Sequence, residues 1–284
     1  MVQRFELGKP HWWQWPTVLS LDAPAVALAW QWLFARTAGV TLSWAHFLAL
    51  GAAVWLVYAA DRWIEGWSLT PGKIRTQRHH FYQRWRWPVF TLWVIVLLAT
   101  TTICLRFLSR REILGGMALA VPVLAYLLSH QWLHRGHPWR VPKEICVAVI
   151  FALGTSLFPL TTSGIHMPIA PIVLFGWVCF TNCTLIATWE REVDVIHGQT
   201  SLALQFNVTE RFSRWLPWTV AASAILIAFE SSPLPRSALL CVGLSSLMLG
   251  MVNQLESRIG RELARVLADA VLLTPLLVLV QQVA

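Results

Sequence analysis

Charged residues are scarce in this chain of 284 residues, where Asp, Glu, Lys and Arg make up 13% and hydrophobic residues 56%. A soluble domain of this length needs far more polar surface to cover its core, so the composition excludes that class. The ten-residue segments of alternating polarity that mark a membrane β-barrel are also lacking. Cysteine is sparse too: its five residues stand singly in apolar stretches, without the spacing of a metal site or a disulfide framework.

Long uncharged runs are what the chain has instead. Asp, Glu, Lys and Arg are absent from 87–105, 145–189, 215–229 and 237–255. About 20 mostly apolar residues span a bilayer as a helix, which pairs its backbone groups internally. We therefore predict an all-α membrane protein, a single domain over 1–284 with about nine transmembrane helices. The predicted segments are approximately 17–36, 44–61, 87–105, 113–131, 144–160, 168–189, 215–230, 237–254 and 266–283.

The distribution of positive charge predicts the orientation in the membrane. Residues 1–16 have no apolar core and no small-residue cleavage site, so we expect no signal peptide. With the N-terminus in the cytoplasm, 17 of the 22 Lys and Arg residues face the cytoplasm, which the positive-inside rule favours. The C-terminus then lies on the opposite side, and a bacterial inner membrane is the expected location. The net charge of +8 reflects this orientation and contact with membrane lipids, not nucleic acid.

Two long cytoplasmic loops begin with the same acidic pattern. The first reads Asp61-Arg62-x-x-Glu65 after the second segment, and the other reads Glu190-Arg191-x-x-Asp194 after the sixth. Acids four residues apart share a helix face, where bound Mg²⁺ would relieve their repulsion. Two such faces across one cavity would bind Mg²⁺ ions and, through them, a diphosphate. The alternative interpretation is a pair of solvated helix ends whose acids pair locally with arginine.

Basic residues follow the first motif and also precede the fifth segment. They are Lys73, Arg75, Arg78, His79, His80 and Lys143. Arginine and lysine suit phosphate oxygens, although the same residues also serve as positive-inside markers that touch anionic lipid. Asp269 lies inside the ninth segment, where an acid is costly. Because of Asp269, a transporter or a channel is a further alternative function. Solute flux through the protein that Asp269→Asn abolished would favour this alternative.

The two motifs and the segment count resemble the UbiA superfamily of intramembrane prenyltransferases. Its first motif is N-D-x-x-D-x-x-x-D, and the aligned residues here are 57–65. Asp61 and Glu65 match the later acids, whereas Val57 and Tyr58 replace the leading Asn-Asp. The Arg-Thr of the following loop matches 75–76. The acids of the second motif precede a glycine in the family, as they do here at 190–198.

This resemblance implies the transfer of an isoprenyl group from a prenyl diphosphate to a lipophilic, aromatic acceptor, with Mg²⁺ as the cofactor. The catalytic and metal-binding residues that it implies are Asp61, Glu65, Glu190 and Asp194. The implied substrate-binding residues are Arg62, Arg75, Arg78, Lys143 and Tyr58. The loss of the leading Asn-Asp favours the alternative, an inactive UbiA-fold protein that binds lipid or assists assembly. The sequence does not specify the acceptor, the prenyl chain length or the oligomeric state.

Overall fold

The helices follow one another with short connections in the computed structural model, which describes residues 9–69, 74–129, 142–163 and 167–283. Lys73 and the last two residues of the predicted segment 113–131 lie outside the described residues. Short 3-10 turns cover Trp12–Gln14 and Val271–Leu273. The α-helices are α1 (Trp15–Val18), α2 (Asp22–Thr37), α3 (Trp44–Ser68), α4 (Gln77–Arg84), α5 (Arg86–Phe107), α6 (Arg110–Leu128), α7 (Lys143–Ser163), α8 (Ile169–Trp189), α9 (Arg191–His197), α10 (Leu202–Gln205), α11 (Thr209–Glu230), α12 (Pro233–Ile259), α13 (Arg261–Ala270) and α14 (Pro275–Val283).

Half of the α-helices named above are long and apolar enough to cross a membrane on their own. Within the described ranges, seven pass that test alone, namely α3, α5, α6, α7, α8, α11 and α12. Two bent pairs raise the number to as many as nine, one of them leading into α2 with a bend of 76° and the other leading into α14 with a bend of 45°. The predicted all-α membrane fold is therefore confirmed, and two of the predicted segments, 17–36 and 266–283, are bent pairs of helices.

Both breaks have local causes. Ser20 has a φ of +59°, in the left-handed region that a residue with a side chain seldom adopts, and it separates α1 from α2. Pro275 has no backbone N–H to bond the carbonyl of Val271 four residues earlier. The Ser245 hydroxyl of α12 donates to that carbonyl oxygen at 2.9 Å instead. A neighbouring helix thus satisfies the backbone group that the break exposes.

Aromatic packing joins the broken spans to the centre of the bundle. The Trp30 ring of α2 stacks on Phe175 of α8 with a centroid distance of 4.1 Å. Its indole N–H donates to the carbonyl of Leu272, at the break between α13 and α14, at 2.8 Å. Both aromatic side chains are fully buried, so α2, α8 and the α13–α14 break form one packed unit. That unit positions the cavity described below.

Gly250 of α12 packs directly against the ring of Trp218 on α11. A Cβ atom there would lie 2.8 Å from Cζ2 of Trp218, so Gly250→Ala must displace a large ring. We expect a loss of about 1–3 kcal/mol in the free energy of unfolding, as for other overpacked interiors. Denaturant titration in detergent measures it. Gly116→Ala, where a Cβ would meet nothing within 4 Å, is the matched control, and equal destabilisation by both would contradict this packing.

Candidate functional site

The ends of α3 and α8 meet at one cavity, which brings the two acidic motifs together. Its volume is about 210 Å³. All four candidate metal ligands line it, as do four of the five candidate substrate-binding residues. These lining residues are Asp61, Glu65, Glu190 and Asp194, together with Tyr58, Arg62, Arg78 and Lys143. The first motif lies within α3, which continues to Ser68, so its acids stand one turn apart on a helix and not in a loop.

Two arginines hold Glu190, the residue that joins α8 to α9. Nη2 of Arg78 lies 3.1 Å from one carboxylate oxygen, and Nη1 of Arg265 donates to the other. Glu190 is only 8% exposed, and a buried carboxylate is stable only when it is paired in this way. Burial tends to lower the pKa of Arg78, but the carboxylates of Glu190 and Glu65 outweigh it and raise the pKa above the usual value. The guanidinium is therefore charged.

Asp194 is a candidate metal ligand with one carboxylate oxygen left unsatisfied by the described residues. It is 4% exposed, and its Oδ1 lies 3.8 Å from Nζ of Lys143. Its Oδ2 is buried and meets no hydrogen-bond donor among the residues that the structure describes. An unpaired buried carboxylate oxygen costs free energy, and a bound cation or donor would remove that cost. This orphaned oxygen is the feature of the cavity that best fits a metal ion.

A chain of hydrogen bonds joins the first motif to the second. Oε1 of Glu65 accepts from the Gln199 amide at 2.6 Å, and Oε2 lies 2.8 Å from Nε2 of His79. Oε1 of the same Gln199 side-chain amide accepts from Nζ of Lys143 at 3.4 Å. Gly198, with φ +68°, ends α9 in the left-handed conformation that places Gln199 next to the cavity. Lys143 and Glu65 are thus tied together through one amide.

His79 is a neutral side chain that hydrogen-bonds to Glu65. Its burial, followed by the charge of Arg78, lowers the pKa of His79 well below the ordinary value. The neutral ring therefore accepts at Nδ1 from the Thr76 hydroxyl at 2.6 Å and donates from Nε2 to Glu65. The sequence placed His79 and His80 together among the basic residues that follow the first motif. In the structure, His79 orients a candidate metal ligand and His80 is exposed.

We expect His79→Ala to raise the Mg²⁺ concentration needed for half-maximal prenyl diphosphate binding by about tenfold, as loss of an orienting hydrogen bond does at metal sites. His79→Gln keeps an N–H donor and should recover most of the affinity. A Mg²⁺ titration of radiolabelled ligand binding measures both effects. The exposed neighbour provides the control, because His80→Ala should bind like the wild type; equal losses in the two alanine variants would exclude an orienting role for His79.

Arg62 lines the cavity, but its N–H groups donate to residues at the chain break between α1 and α2. Its Nη1 donates to the carbonyl oxygen of Thr17 and, at 2.8 Å, to the hydroxyl of Ser20. Its Nη2 lies 3.9 Å from Asp22, and its guanidinium lies over the Tyr58 ring, 5.8 Å from the centroid. Arg62 therefore anchors the start of α2 while it presents Tyr58 to the cavity.

Arg75 lies apart from the other candidates. It lines a second cavity of about 510 Å³, which the row of Arg78, Glu190 and Arg265 separates from the first. Arg261 and Glu262 of α13 line the far side of this second cavity. The sequence grouped Arg75 with Arg78 because both follow the first motif within one loop. The structure places them on one wall, with only Arg78 reaching both cavities.

Several lining residues carry no motif and were missed by the sequence patterns. Gln199 and Arg265 pair with motif acids from distant parts of the chain, and such pairings leave no periodic signal. Asp269 was noted as a costly acid, and its partners are now visible. Asn182 Nδ2 donates to its Oδ1 at 3.0 Å, and Asp22 lies on the same inner side of the cavity.

The fold and this cavity define a polytopic membrane protein in which two acidic helix ends face each other. A solved structure described as the apo structure of a UbiA homolog from Aeropyrum pernix K1 is similar to it, with a TM-score of 0.63 over 94% of this chain and 99% of that chain. The two sequences are 13% identical. The chain therefore has the UbiA fold, as its motifs predicted. No family model matches the chain, and neither does any curated protein sequence.

Proposed function

We propose that this protein is an intramembrane prenyltransferase, which moves an isoprenyl group from a prenyl diphosphate to a lipophilic, aromatic acceptor. The observation that carries the proposal is the meeting of both acidic motifs with Arg78 and Lys143 in one cavity of a UbiA-fold bundle. Carboxylates and bases in the same small space suit a polyanion that binds together with divalent cations. The proposed location is a bacterial inner membrane, with the cavity toward the cytoplasm and the C-terminus on the opposite side.

The binding of the diphosphate would exchange ion-pair partners within the cavity. Arg78 and Arg265 now neutralise Glu190, and Lys143 lies near Asp194. Phosphate oxygens bind arginine forks and lysine ammonium groups strongly, so a diphosphate would draw these cations away from the acids. The released carboxylates then face the same ligand. Tyr58, Arg62 and Arg75 complete the proposed substrate-binding set, with Arg75 on the neighbouring cavity.

The acids fit Mg²⁺ in their chemistry, since hard carboxylate oxygens are its usual protein ligands. Within the described residues, no three of the side chains that ligate metals are already grouped around one point. A cation would nonetheless stabilise a buried carboxylate oxygen that has no donor in the described structure, such as Oδ2 of Asp194. We propose that Asp61, Glu65, Glu190 and Asp194 hold Mg²⁺ once the diphosphate has taken over the basic side chains. Bound Mg²⁺ would neutralise the diphosphate as a leaving group.

The walls of the cavity suit the chemistry of a carbocation. In the proposed reaction, the bond between the prenyl carbon and the diphosphate oxygen breaks, an acceptor carbon attacks the allylic cation, and the acceptor loses a proton. Val57, Val147 and Ile186 line the cavity with apolar surface that excludes water from the cation. The rings of Tyr58 and Tyr126 line it too, and an aromatic face stabilises a nearby cation.

A second candidate function is supported by one specific observation. Val57 lines the cavity at the position where the related motif has asparagine, so an oxygen ligand is missing there. With Glu190 clamped by two arginines, the site would then bind an anionic lipid headgroup without turnover. Under this alternative the protein is a catalytically inactive lipid binder or assembly factor.

Release of inorganic diphosphate distinguishes the two candidates. Purified protein in nanodiscs is incubated with prenyl diphosphates of several chain lengths, Mg²⁺ and a phenolic lipid mixture. The prenyltransferase proposal expects diphosphate release that requires both Mg²⁺ and the acceptor mixture, together with a prenylated product by mass spectrometry. Tight binding of the prenyl diphosphate without release under any acceptor condition would favour the inactive binder.

A further inference from the structure

The inner end of the cavity holds a polar cluster that the proposed diphosphate site does not use. Asp22 begins α2, Asn182 lies in the middle of α8, and Asp269 lies in α13. All three line both the main cavity and a smaller inner chamber of about 40 Å³. Three helices that are distant in sequence therefore bring polar side chains to one point inside the bundle, where such groups are costly and mark binding sites.

The hydrogen bonds within the cluster leave one acceptor vacant. Asn182 Nδ2 donates to Oδ1 of Asp269 at 3.0 Å. Asn182 is 7% exposed, and its own Oδ1 has no hydrogen-bond donor among the described residues. A buried amide oxygen without a donor costs roughly 1–3 kcal/mol. A ligand group that donates a hydrogen bond at this point would remove that cost.

The two acids of the cluster line the same small chamber, with one arginine beside it. Nη2 of Arg62 lies 3.9 Å from Oδ2 of Asp22. Among the described residues, no basic side chain lines the chamber itself. The cluster therefore offers oxygen acceptors to a ligand and no cation. An incoming carboxylate would meet acid oxygens instead of a free cation, and like charges in a buried site repel strongly.

The size of the inner chamber and the residues that line it limit which chemical groups can bind there. Val26, Phe151 and Leu272 line it beside the polar cluster. A water molecule needs about 10–15 Å³ of such space, so 40 Å³ admits a small polar group at the edge of a ring and not an isoprenoid tail. Asn182 stands eight residues before Glu190 on the same helix, about 12 Å along its axis. That separation leaves room for an aromatic ring between the cluster and the diphosphate end.

We infer that Asp22, Asn182 and Asp269 form the acceptor subsite, and that it binds the uncharged hydroxyl group of a phenol-type acceptor and disfavours an acceptor with an ionised carboxylate. The hydroxyl donates to Asn182 Oδ1 or to the acid pair, while the ring extends along the apolar wall toward Tyr58. The assignment of the ligand as a prenyl acceptor rests on the proposed prenyltransferase function. Binding of a hydroxyl group at this site can be tested without catalysis.

Photolabelling of the full-length protein in nanodiscs tests the subsite. The probes are a phenol that carries a trifluoromethyl-diazirine group, its methyl ether, and the corresponding benzoic acid. Labelled peptides are mapped by mass spectrometry. We expect the phenol to label α2, α8 and α13 at least about tenfold more than the ether or the acid, since a site built to bind a hydroxyl rejects analogues without one. Equal labelling by the three probes would overturn the inference.

Two leucine variants separate the subsite from general packing. Asn182→Leu removes the vacant acceptor and should abolish the preference for the phenol. Gln31→Leu is the matched control, because Gln31 is a fully buried amide of α2 without a partner in the described structure and is not among the residues that line this cavity. Its phenol labelling should equal that of the wild type. Unchanged labelling in Asn182→Leu would overturn the assignment.

Prenyl diphosphate binding is measured on the same preparations. If Asn182→Leu loses the phenol preference but keeps Mg²⁺-dependent diphosphate binding, the subsite stands. If that variant loses both the phenol preference and diphosphate binding, its fold is disturbed. The comparison of phenol with ether labelling in the wild type then decides whether the hydroxyl subsite exists. If the wild type labels with the phenol at the three helices but binds no prenyl diphosphate, the proposed function fails and the hydroxyl site stands.

Discussion

Asp194→Asn is expected to lower the Mg²⁺-dependent affinity for a prenyl diphosphate by at least about 100-fold, the order of effect seen when one member of a buried charged pair is removed. The reason is geometric. Asp194 has a buried carboxylate oxygen that no described residue satisfies, and it lies beside Lys143, which would bind phosphate. Asparagine keeps the shape but removes the negative charge that a metal ion requires. Equilibrium binding of radiolabelled ligand measures the change.

A neighbour on the same short helix provides the control for Asp194. Glu192 lies two residues earlier on α9, its side chain is 81% exposed, and it pairs with Arg261 at 3.2 Å outside the main cavity. Glu192→Gln changes the formal charge equally and should leave binding unchanged. If both variants weakened binding to the same degree, the effect would come from the overall charge of the membrane face and not from a metal site.

Arg62→Ala is expected to cost about 3–5 kcal/mol in the free energy of unfolding, as removal of one member of a buried charged pair does. Arg62 is 5% exposed, and its guanidinium donates to the carbonyl of Thr17 and the hydroxyl of Ser20, next to the acid of Asp22. Its loss removes a charged donor from both groups and leaves the buried carboxylate of Asp22 without the cation beside it. Hydrogen exchange should show early opening at 15–22, and denaturant titration should show the stability loss.

Arg214→Ala is the matched control for this prediction. Arg214 pairs with Glu210 one turn earlier on α11, but both side chains are about two-thirds exposed, at 68% and 69%. An exposed pair of this kind contributes less than about 0.5 kcal/mol. A result in which Arg62→Ala was as stable as Arg214→Ala, yet lost diphosphate binding, would show that Arg62 serves the ligand and not the fold.

Local chemistry explains how much of the fold the sequence predicted. Uncharged runs of sufficient length identify membrane helices directly, and the all-α bundle follows from them. The breaks near Ser20 and Pro275 interrupted predicted segments, because hydropathy averages over a window and does not register a single left-handed residue. The first motif was expected to open a loop, yet α3 continues past Glu65 to Ser68.

The candidate site was predictable only where residues repeat in a pattern. The acids four residues apart on two helices predicted the cavity that Asp61 and Asp194 line. Gln199 and Arg265 reach the same acids from elsewhere in the chain, and only the fold places them there. Asp269 gave a signal through its cost in a membrane span. Its partner Asn182 gave none, because an amide in an apolar helix is unremarkable until its neighbours are known.

The most direct test of this account is equilibrium binding of a radiolabelled prenyl diphosphate to the purified wild-type protein, with Mg²⁺ and with a chelator. Inorganic diphosphate and a prenyl alcohol serve as competitors for the two halves of the ligand. We predict saturable binding that requires Mg²⁺ and that both competitors weaken. Absence of binding with Mg²⁺, or binding that is equally tight in the chelator, would contradict a metal–diphosphate site at the paired acidic motifs.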